Sequence, residues 1–488
     1  MQITMVAAEC APIAKAGGLG DFVHGLARGL AARGRQVQVI VPRYDCLRLD
    51  CVSNLQPVGP ELWVPYYDER IRCDVQCGQA DGIRVILIGP SSAQGFFDRG
   101  VIYGEPDDLE RFAFFSRALL EYLHRAGERP DVIHCNDWHT ALVPVLVREV
   151  YTGLGVTRPR LCTTLHNLGY QGVAGASVLR QVGLDPERMM TPDRLLDPHQ
   201  PTAVNLLKGG ILYSDSVTTV SPSYAREILG TEVGMGLQET LRACEHKFAG
   251  VLNGIDYDTW DPQSDAMIAR GFWVDSLPNK AVNKTELRRR LGLSEVRKPI
   301  AAVVSRLDQQ KGMDLMVHAM RRVPMSGGQA VLLGAAQDPE IDARFRVLQG
   351  EMKGNPDCHL ELGYDEELAH QIYAAADLVL IPSLYEPCGL TQMIAMRYGA
   401  VPVARRVGGL ADTVFDANYG DKAFEERNGY LFDHYTQAGL DSALDRALWL
   451  WFRYPEYFRQ LRINGMRTDH SWDRSVQQYL DLYDRIRR

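Results

Sequence analysis

The chain has 488 residues, a formal charge of −8 and an ordinary globular composition of 46% hydrophobic, 23% charged and 9% aromatic residues. At ~150 residues per domain, the length predicts about three domains and allows two large ones; average glycine and proline exclude collagen-like and low-complexity chains. The negative charge is shared evenly between the halves, so no basic stripe offers itself to nucleic acid or to an anionic membrane.

The N-terminus, MQITMVAAECAPIAK, has its first cation after the apolar stretch and Glu9 within it. A secretory signal has the opposite order. No apolar run approaches the ~18 residues needed to span a bilayer. Ten scattered cysteines with no CxxC pair predict reduced thiols in a cytoplasmic setting, or in a plastid stroma for a plant or algal source.

In chain order, Ile3–Ala8 reads as a strand, KAGGLGD at 15–21 as a glycine loop, and Phe22, Val23, Leu26, Ala27 and Leu30 as one helix face. Gly34 ends that helix, and Val37–Val41 is the next strand. This is a βαβ unit, the element of a parallel sheet. Further strands are predicted at Arg84–Ile88, Asp131–His134, Leu161–Leu165 and Ser216–Val220, with a helix over Glu110–His124. A second alternation begins at Pro299–Val304. It runs through helices near 312–320, 338–352, 365–375, 390–398 and 410–415, with strands at 330–333, 359–362, 378–381 and 401–404. The segment 253–298 reads as a linker with some structure, and 440–488 as helical and aromatic. The expected fold class is therefore α/β, with two doubly wound Rossmann-like domains facing across a cleft. The boundaries are drawn at 1–252 and 253–468, with a helix at 469–488 returning to the N-terminal domain.

Four glycine-bearing loops join strand to helix, where backbone N–H groups and the helix N-terminus favour an anion. In KAGGLGD, Gly18 and Gly20 permit close backbone approach and Lys15 adds a cation, although the same residues would serve a plain tight turn. In SRLDQQKG at 305–312, Arg306 and Lys311 stand where a phosphate group would be held. In PSLYEPCGLTQ at 382–392, Glu386 could accept from sugar hydroxyls, while Gly389, Leu390 and Thr391 offer N–H groups. Cys388 beside them reads as packed rather than reactive. In VGGLADTV, Gly408 and Gly409 turn the chain. His134 and His139, in HCNDWH, are five apart at a strand end and lack zinc spacing. Asp137 and Trp138 suit sugar binding, and His166-Asn167 occupies the same position after its own strand.

Taken together, KAGGLGD at 15–21, HCNDWHT at 134–140, TLHNLGYQG at 164–172, LNGID at 252–256, SRLDQQKG, PSLYEPCGLTQMIAMRYG at 382–399 and VGGLADTV at 407–414 resemble the bacterial glycogen synthases and plant starch synthases, in the family's order along the chain. The resemblance implies the GT-B architecture. It also implies transfer of glucose from a nucleotide sugar to the non-reducing end of an α-1,4-glucan, with retention of configuration, no cofactor and no required metal. Carried over, Lys15, Gly18 and Asp21 would contact the donor diphosphate and sugar. Arg306 and Lys311 would stabilise the departing diphosphate, and Glu386 would orient the donor glucose with Cys388, Gly389, Leu390 and Thr391 lining its pocket. His166 would sit against the anomeric centre, Asp137 and Asn167 would hold hydroxyls, and Asn253 would lie near the hinge. The segment FFDRGVIYGEPDD looks shortened against the family pattern; Tyr103 within it is the residue matching a donor contact. The expected donor is ADP-glucose. The alternatives are UDP-glucose with the same chemistry, another sugar-nucleotide enzyme of the same fold, and a silent glucan-binding scaffold. The retained cations and the complete second half speak against the last.

Overall fold

The computed structural model describes residues 1–59, 61–91, 95–156, 159–230 and 232–488. The chain divides into two units, Met1–Gly254 with Trp472–Arg488, and Ile255–Ser471. The segment read as a linker is mostly part of the second unit, where Val274–Asn279 forms a 3-10 turn and Lys280–Leu291 a helix.

In the first unit the strands are β1 (Gln2–Val6), β2 (Gln36–Pro42), β3 (Ser53–Pro57), β4 (Leu62–Tyr66), β5 (Glu69–Ala80), β6 (Ile83–Pro90), β7 (Val132–Asn136), β8 (Arg160–Leu165), β9 (Val173–Gly175), β10 (Ala203–Asn205), β11 (Ser216–Thr219) and β12 (Phe248–Gly250). Ten of them form one sheet in the order β12-β11-β8-β7-β1-β2-β6-β5-β3, with β4 on β5; β9 and β10 make a separate hairpin. From β12 to β6 the pairing is parallel, and β5 runs antiparallel to β6, β3 and β4. Both faces of the parallel part are covered, which is why its strands read as near-continuous apolar runs. Ile3, Met5, Val39 and Val41 point to one face, under helix Gly18–Ala32 and the C-terminal helix Asp473–Arg487. Val6, Ile40, Ile86 and Ile133 point to the other, with helix Asp108–Arg125. The alternation is the two-residue period of the strand.

The second unit has β13 (Ile300–Val304), β14 (Gln329–Gly334), β15 (Cys358–Leu362), β16 (Leu378–Ile381), β17 (Val401–Arg405) and β18 (Tyr430–Phe432). All are parallel, in the order β15-β14-β13-β16-β17-β18. Each sheet thus has a point where the strand order reverses, between β1 and β7 in the first unit and between β13 and β16 in the second. Ligands of open α/β sheets bind outside the carboxyl ends of strands at that point. The loops following these four strands carry KAGGLGD, HCNDWHT, SRLDQQKG and PSLYEPCGLTQ, while TLHNLGYQG follows β8 and VGGLADTV follows β17.

Candidate functional site

In the first unit the loop after β1 is held by a buried carboxylate. Glu9 accepts the N–H groups of Ala16 (2.6 Å) and Gly17 (2.7 Å) and the hydroxyl of Tyr103 (2.8 Å). Gly17 caps helix Gly18–Ala32 without any side-chain cap of its own. Glu9 therefore does the work that a Ser or Asp cap would do, satisfying N–H groups just ahead of the helix start. On the exposed edge of the same turn, the Lys15 ammonium lies 2.8 Å from Asp21, and Gly18 opens the helix. Tyr103, beyond its bond to Glu9, packs its ring 4.9 Å from that of His139. Burial, then the charge of Glu9, pushes its hydroxyl pKa well above the ordinary value.

The loop after β7 turns on Asp137, whose backbone has a positive φ of 54°. Few non-glycine residues adopt this conformation, and those that do concentrate at functional sites. Its carboxylate accepts the backbone N–H of His166 at 2.7 Å and that of Asn167. Burial nevertheless pushes the Asp137 pKa up to about 7. His166 also bonds Asn136 Oδ1 through Nε2 (3.0 Å) and meets the edge of Phe22 with ring centroids 4.5 Å apart. Burial holds its pKa down to about 3, so its imidazole is neutral at pH 7. His134 lies deeper, with Nδ1 2.7 Å from the Tyr483 hydroxyl and Nε2 2.6 Å from Thr164. His139 sits among Trp138, Phe112 and Tyr103. Among the described residues no group of three or more His, Cys, Asp or Glu side chains is arranged to hold a metal ion. Asn253 is buried at the end of this unit, its side-chain Oδ1 without a hydrogen-bond partner among the described residues.

In the second unit the loops after β13 and β16 are laced together. Leu384 N–H donates to the Gln310 carbonyl (2.8 Å), and the Gln310 amide reaches the Tyr385 carbonyl (3.4 Å). The Lys311 ammonium bonds both oxygens of Glu386, at 2.8 and 2.7 Å, and Ser383 donates a third bond at 2.9 Å. The Glu386 side chain is only 6% exposed, so a buried charge is paired as it must be. Two glycines make this possible. Gly312 has φ +80°, and a Cβ there would stand 2.0 Å from the Pro382 carbonyl oxygen; Gly408 has φ +44°, and its Cβ would stand 1.9 Å from that of Glu386. Gly409 N–H then donates to that Glu386 carbonyl (3.0 Å). VGGLADTV is thus the backbone seat of Glu386. Arg306 remains about half exposed, with Asp308 at 3.4 Å. Cys388 is buried. Gly389 and Leu390 lead into helix Thr391–Arg397.

Residues 2–243 match the starch synthase catalytic domain family, and 283–461 match the glycosyl transferases group 1 family. The chain is 53% identical to glycogen synthase 1 of Nitrosococcus oceani over 486 residues, covering 100% of this chain and 99% of that protein. It is 50% identical to glycogen synthase 1 of a Synechococcus species over the whole of both chains. The catalytic domain of starch synthase IV from Arabidopsis thaliana, solved with ADP and acarbose, superposes with a TM-score of 0.96 at 43% identity, covering 100% of this chain and 99% of that one. The chain belongs to the glycogen and starch synthase family. It is a glucan-extending glucosyltransferase of the GT-B fold. A sucrose-phosphate synthase from Thermosynechococcus elongatus shares the fold at a TM-score of 0.62 and 21% identity.

In this synthase the sequence motifs fall into contacting sets within each unit. Lys15 meets Asp21, and Asp137 holds the backbone of His166 and Asn167. Lys311 meets Glu386. Glu9, Ser383 and Asn136 are the partners that motif reading passed over. Of these, Asn136 and Ser383 lie inside HCNDWHT and PSLYEPCGLTQ, and Glu9 stands out as an ionisable group inside an apolar run.

Proposed function

We propose that the chain transfers glucose from ADP-glucose to the 4-hydroxyl of a non-reducing α-1,4-glucan end, with retention and without a metal. The observation that carries this reading is the Lys311–Glu386 clamp at the carboxyl ends of β13 and β16, beside Arg306. That the starch synthase IV catalytic domain was solved with ADP and acarbose supports the nucleotide and glucan classes.

The proposed roles follow from charge and geometry. Arg306 and Lys311 neutralise the departing diphosphate, an electrostatic contribution that is large in a dry site. Glu386 orients the donor glucose and holds Lys311 in place. Cys388, Gly389, Leu390 and Thr391 line the donor pocket with backbone groups. Lys15, Gly18 and Asp21 contact the donor diphosphate and sugar, and Tyr103 fixes their loop through Glu9. His166 supplies its backbone carbonyl to the developing oxocarbenium ion, its own N–H being fixed by Asp137. Asp137 and Asn167 hold sugar hydroxyls. In the proposed step the C1–O bond to the diphosphate breaks while the acceptor oxygen bonds C1 from the same face. The acceptor proton passes to the leaving diphosphate oxygen. No second carboxylate is then required, unlike in retaining glycosidases. All ten cysteines are free thiols, which supports a cytoplasmic enzyme.

Incorporation of glucose into glycogen from ADP-glucose and from UDP-glucose, each with and without chelator, tests this reading. Transfer from ADP-glucose that survives chelation is the expected result. Transfer from UDP-glucose alone overturns the donor, and loss on chelation overturns the metal-free step.

A further inference from the structure

Away from the motif loops, the second unit carries a second concentration of charge. Helix Lys280–Leu291 is strongly basic and does not show an apolar stripe, yet Lys280 and Arg288 are buried and Lys284 is nearly so. Lys284 pairs with Asp377, which also accepts the N–H of Ile300. Lys280 is met by the carbonyls of Tyr373 and Tyr398, both at 2.8 Å, and by the face of Phe272 at 5.3 Å. Arg288 is met by Gln329 Oε1 and the Lys298 carbonyl, and Arg462 by the Gly399 carbonyl. Among the described residues, Asp377 is thus the one carboxylate whose field reaches Lys280, Lys284, Arg288 and Arg462 together. Lys298 is taken by Asp357. Buried cations need compensation, and neutral carbonyls supply only part of it.

Two adjoining cavities open onto this cluster, of about 380 and 250 Å³, sharing Lys284, Arg297 and Trp451 as a common wall. Lys280, Arg288, Lys298 and Arg462 complete the cationic lining, against the carboxylates Glu295 and Asp377. The Trp451 ring lies 5.4 Å from the Lys284 ammonium and 5.9 Å from the Arg297 guanidinium. It gives the pocket one apolar face and fixes two cations against it. Arg297 is exposed and makes no ion pair among the described residues. The ring of guanidinium and ammonium donors is of the kind that binds phosphate oxygens.

We infer that this pocket, formed wholly within the second unit by Lys284, Arg288, Arg297, Arg462 and Trp451, binds a phosphate group, free or as a small phosphate ester. It is separate from the residues assigned to the donor. Lys284, Arg288 and Arg462 supply the positive field, and Arg297 is its exposed member, lying over the Trp451 ring.

Calorimetric titration of the full-length protein with inorganic phosphate and with glycerol 3-phosphate tests this. ADP is kept saturating so that the donor residues are occupied, and chloride holds the ionic strength constant. Saturable binding with a Kd at or below ~1 mM is expected, weakened at least about tenfold in Arg297→Glu and little changed in Arg297→Lys. Trp451→Phe should abolish the tryptophan fluorescence change that accompanies binding. Glucosyl transfer without phosphate should be unchanged in all three variants, which verifies their folding. Tighter binding of glycerol 3-phosphate assigns the pocket to esters, and equal binding assigns it to the phosphate group alone. Absence of saturable binding, or equal binding in Arg297→Glu, overturns the inference.

Discussion

Glu386 is where charge, burial and backbone geometry meet. Its carboxylate takes both hydrogen bonds from Lys311 and one from Ser383, and its carbonyl seats Gly409. Glu386→Gln keeps the shape and removes the charge, and Lys311→Ala removes the cation. Each should lower kcat by about 10²–10³-fold. The double variant should be little worse than the poorer single one, because the two act as a unit. Lys311→Ala also leaves a buried carboxylate without its cation, which should destabilise the second unit by about 3–5 kcal/mol. Near-normal turnover in both single variants, with native circular dichroism, would sink the assignment. Glu9 makes a parallel case in the first unit. Glu9→Ala removes three hydrogen bonds to one carboxylate, from Ala16, Gly17 and Tyr103, and should cost about 2–4 kcal/mol; Tyr103→Phe, losing one hydroxyl, should cost about 1 kcal/mol. Denaturant titrations of both read the difference, and equal costs would refute the view of Glu9 as the loop's anchor. Lys311 and Glu386 were legible from the sequence because each lies between a strand and a helix in a glycine-bearing motif. Glu9 was not, since its role is created by the return of a loop and of Tyr103, 94 residues away.

At the scale of elements, the loops after β13 and β16 must approach closely for Lys311 to reach Glu386, and Gly312 sets that approach. Gly312→Ala places a methyl against the Pro382 carbonyl at a backbone angle that alanine resists. The strand end must move, so a loss of about 2–4 kcal/mol is expected together with a fall in kcat. Thermal unfolding and turnover measured on one preparation check this; a variant that is stable and fully active would show that the loops need not touch. The parallel strands and their helices were readable because apolar runs of four to seven residues alternate with a helical period. The antiparallel extension was not. β3 is almost wholly exposed, and β5 breaks its alternation of Ile71, Cys73 and Val75 with polar and small residues. β12 and β18, at three residues each, are too short to stand out. The segment after Ile255 read as a linker because it is fastened by polar groups rather than by an apolar stripe. Asp265 bonds His370 and Tyr398, Arg397 lies over both Tyr257 and Trp273, and Lys280 reaches two carbonyls.

Over the whole molecule, burial of neutral histidines sets how the two units answer to acid. His134, His139 and His166, all in the first unit, are each held down to about 3 by burial. In the unfolded chain they protonate near the ordinary ~6.5. Below that pH the unfolded state binds protons that the folded state refuses, so stability present above it is lost as the pH falls. Asp137 acts in the opposite sense. Burial raises it to about 7, so between ~4 and 7 the folded state holds a proton that the unfolded chain has released, and acid favours folding through this group. Three protons taken up and one given back leave a net uptake of about two on unfolding the first unit. That corresponds to roughly 2.7 kcal/mol of stability lost per pH unit across the lower part of this window. In the second unit the buried His470, held down to about 4, supplies about one proton. Acidification from pH 6.5 to 4.5 should therefore loosen the first unit ahead of the second. Peptide-resolved hydrogen exchange at a series of pH values, corrected for intrinsic rates, reads the units separately. His134→Gln, which removes one of the three imidazoles, should flatten the first unit's pH dependence by about one proton, whatever it does to absolute stability. A first unit whose protection does not change between pH 6.5 and 4.5, or a slope untouched by His134→Gln, would show that these imidazoles find protons without unfolding.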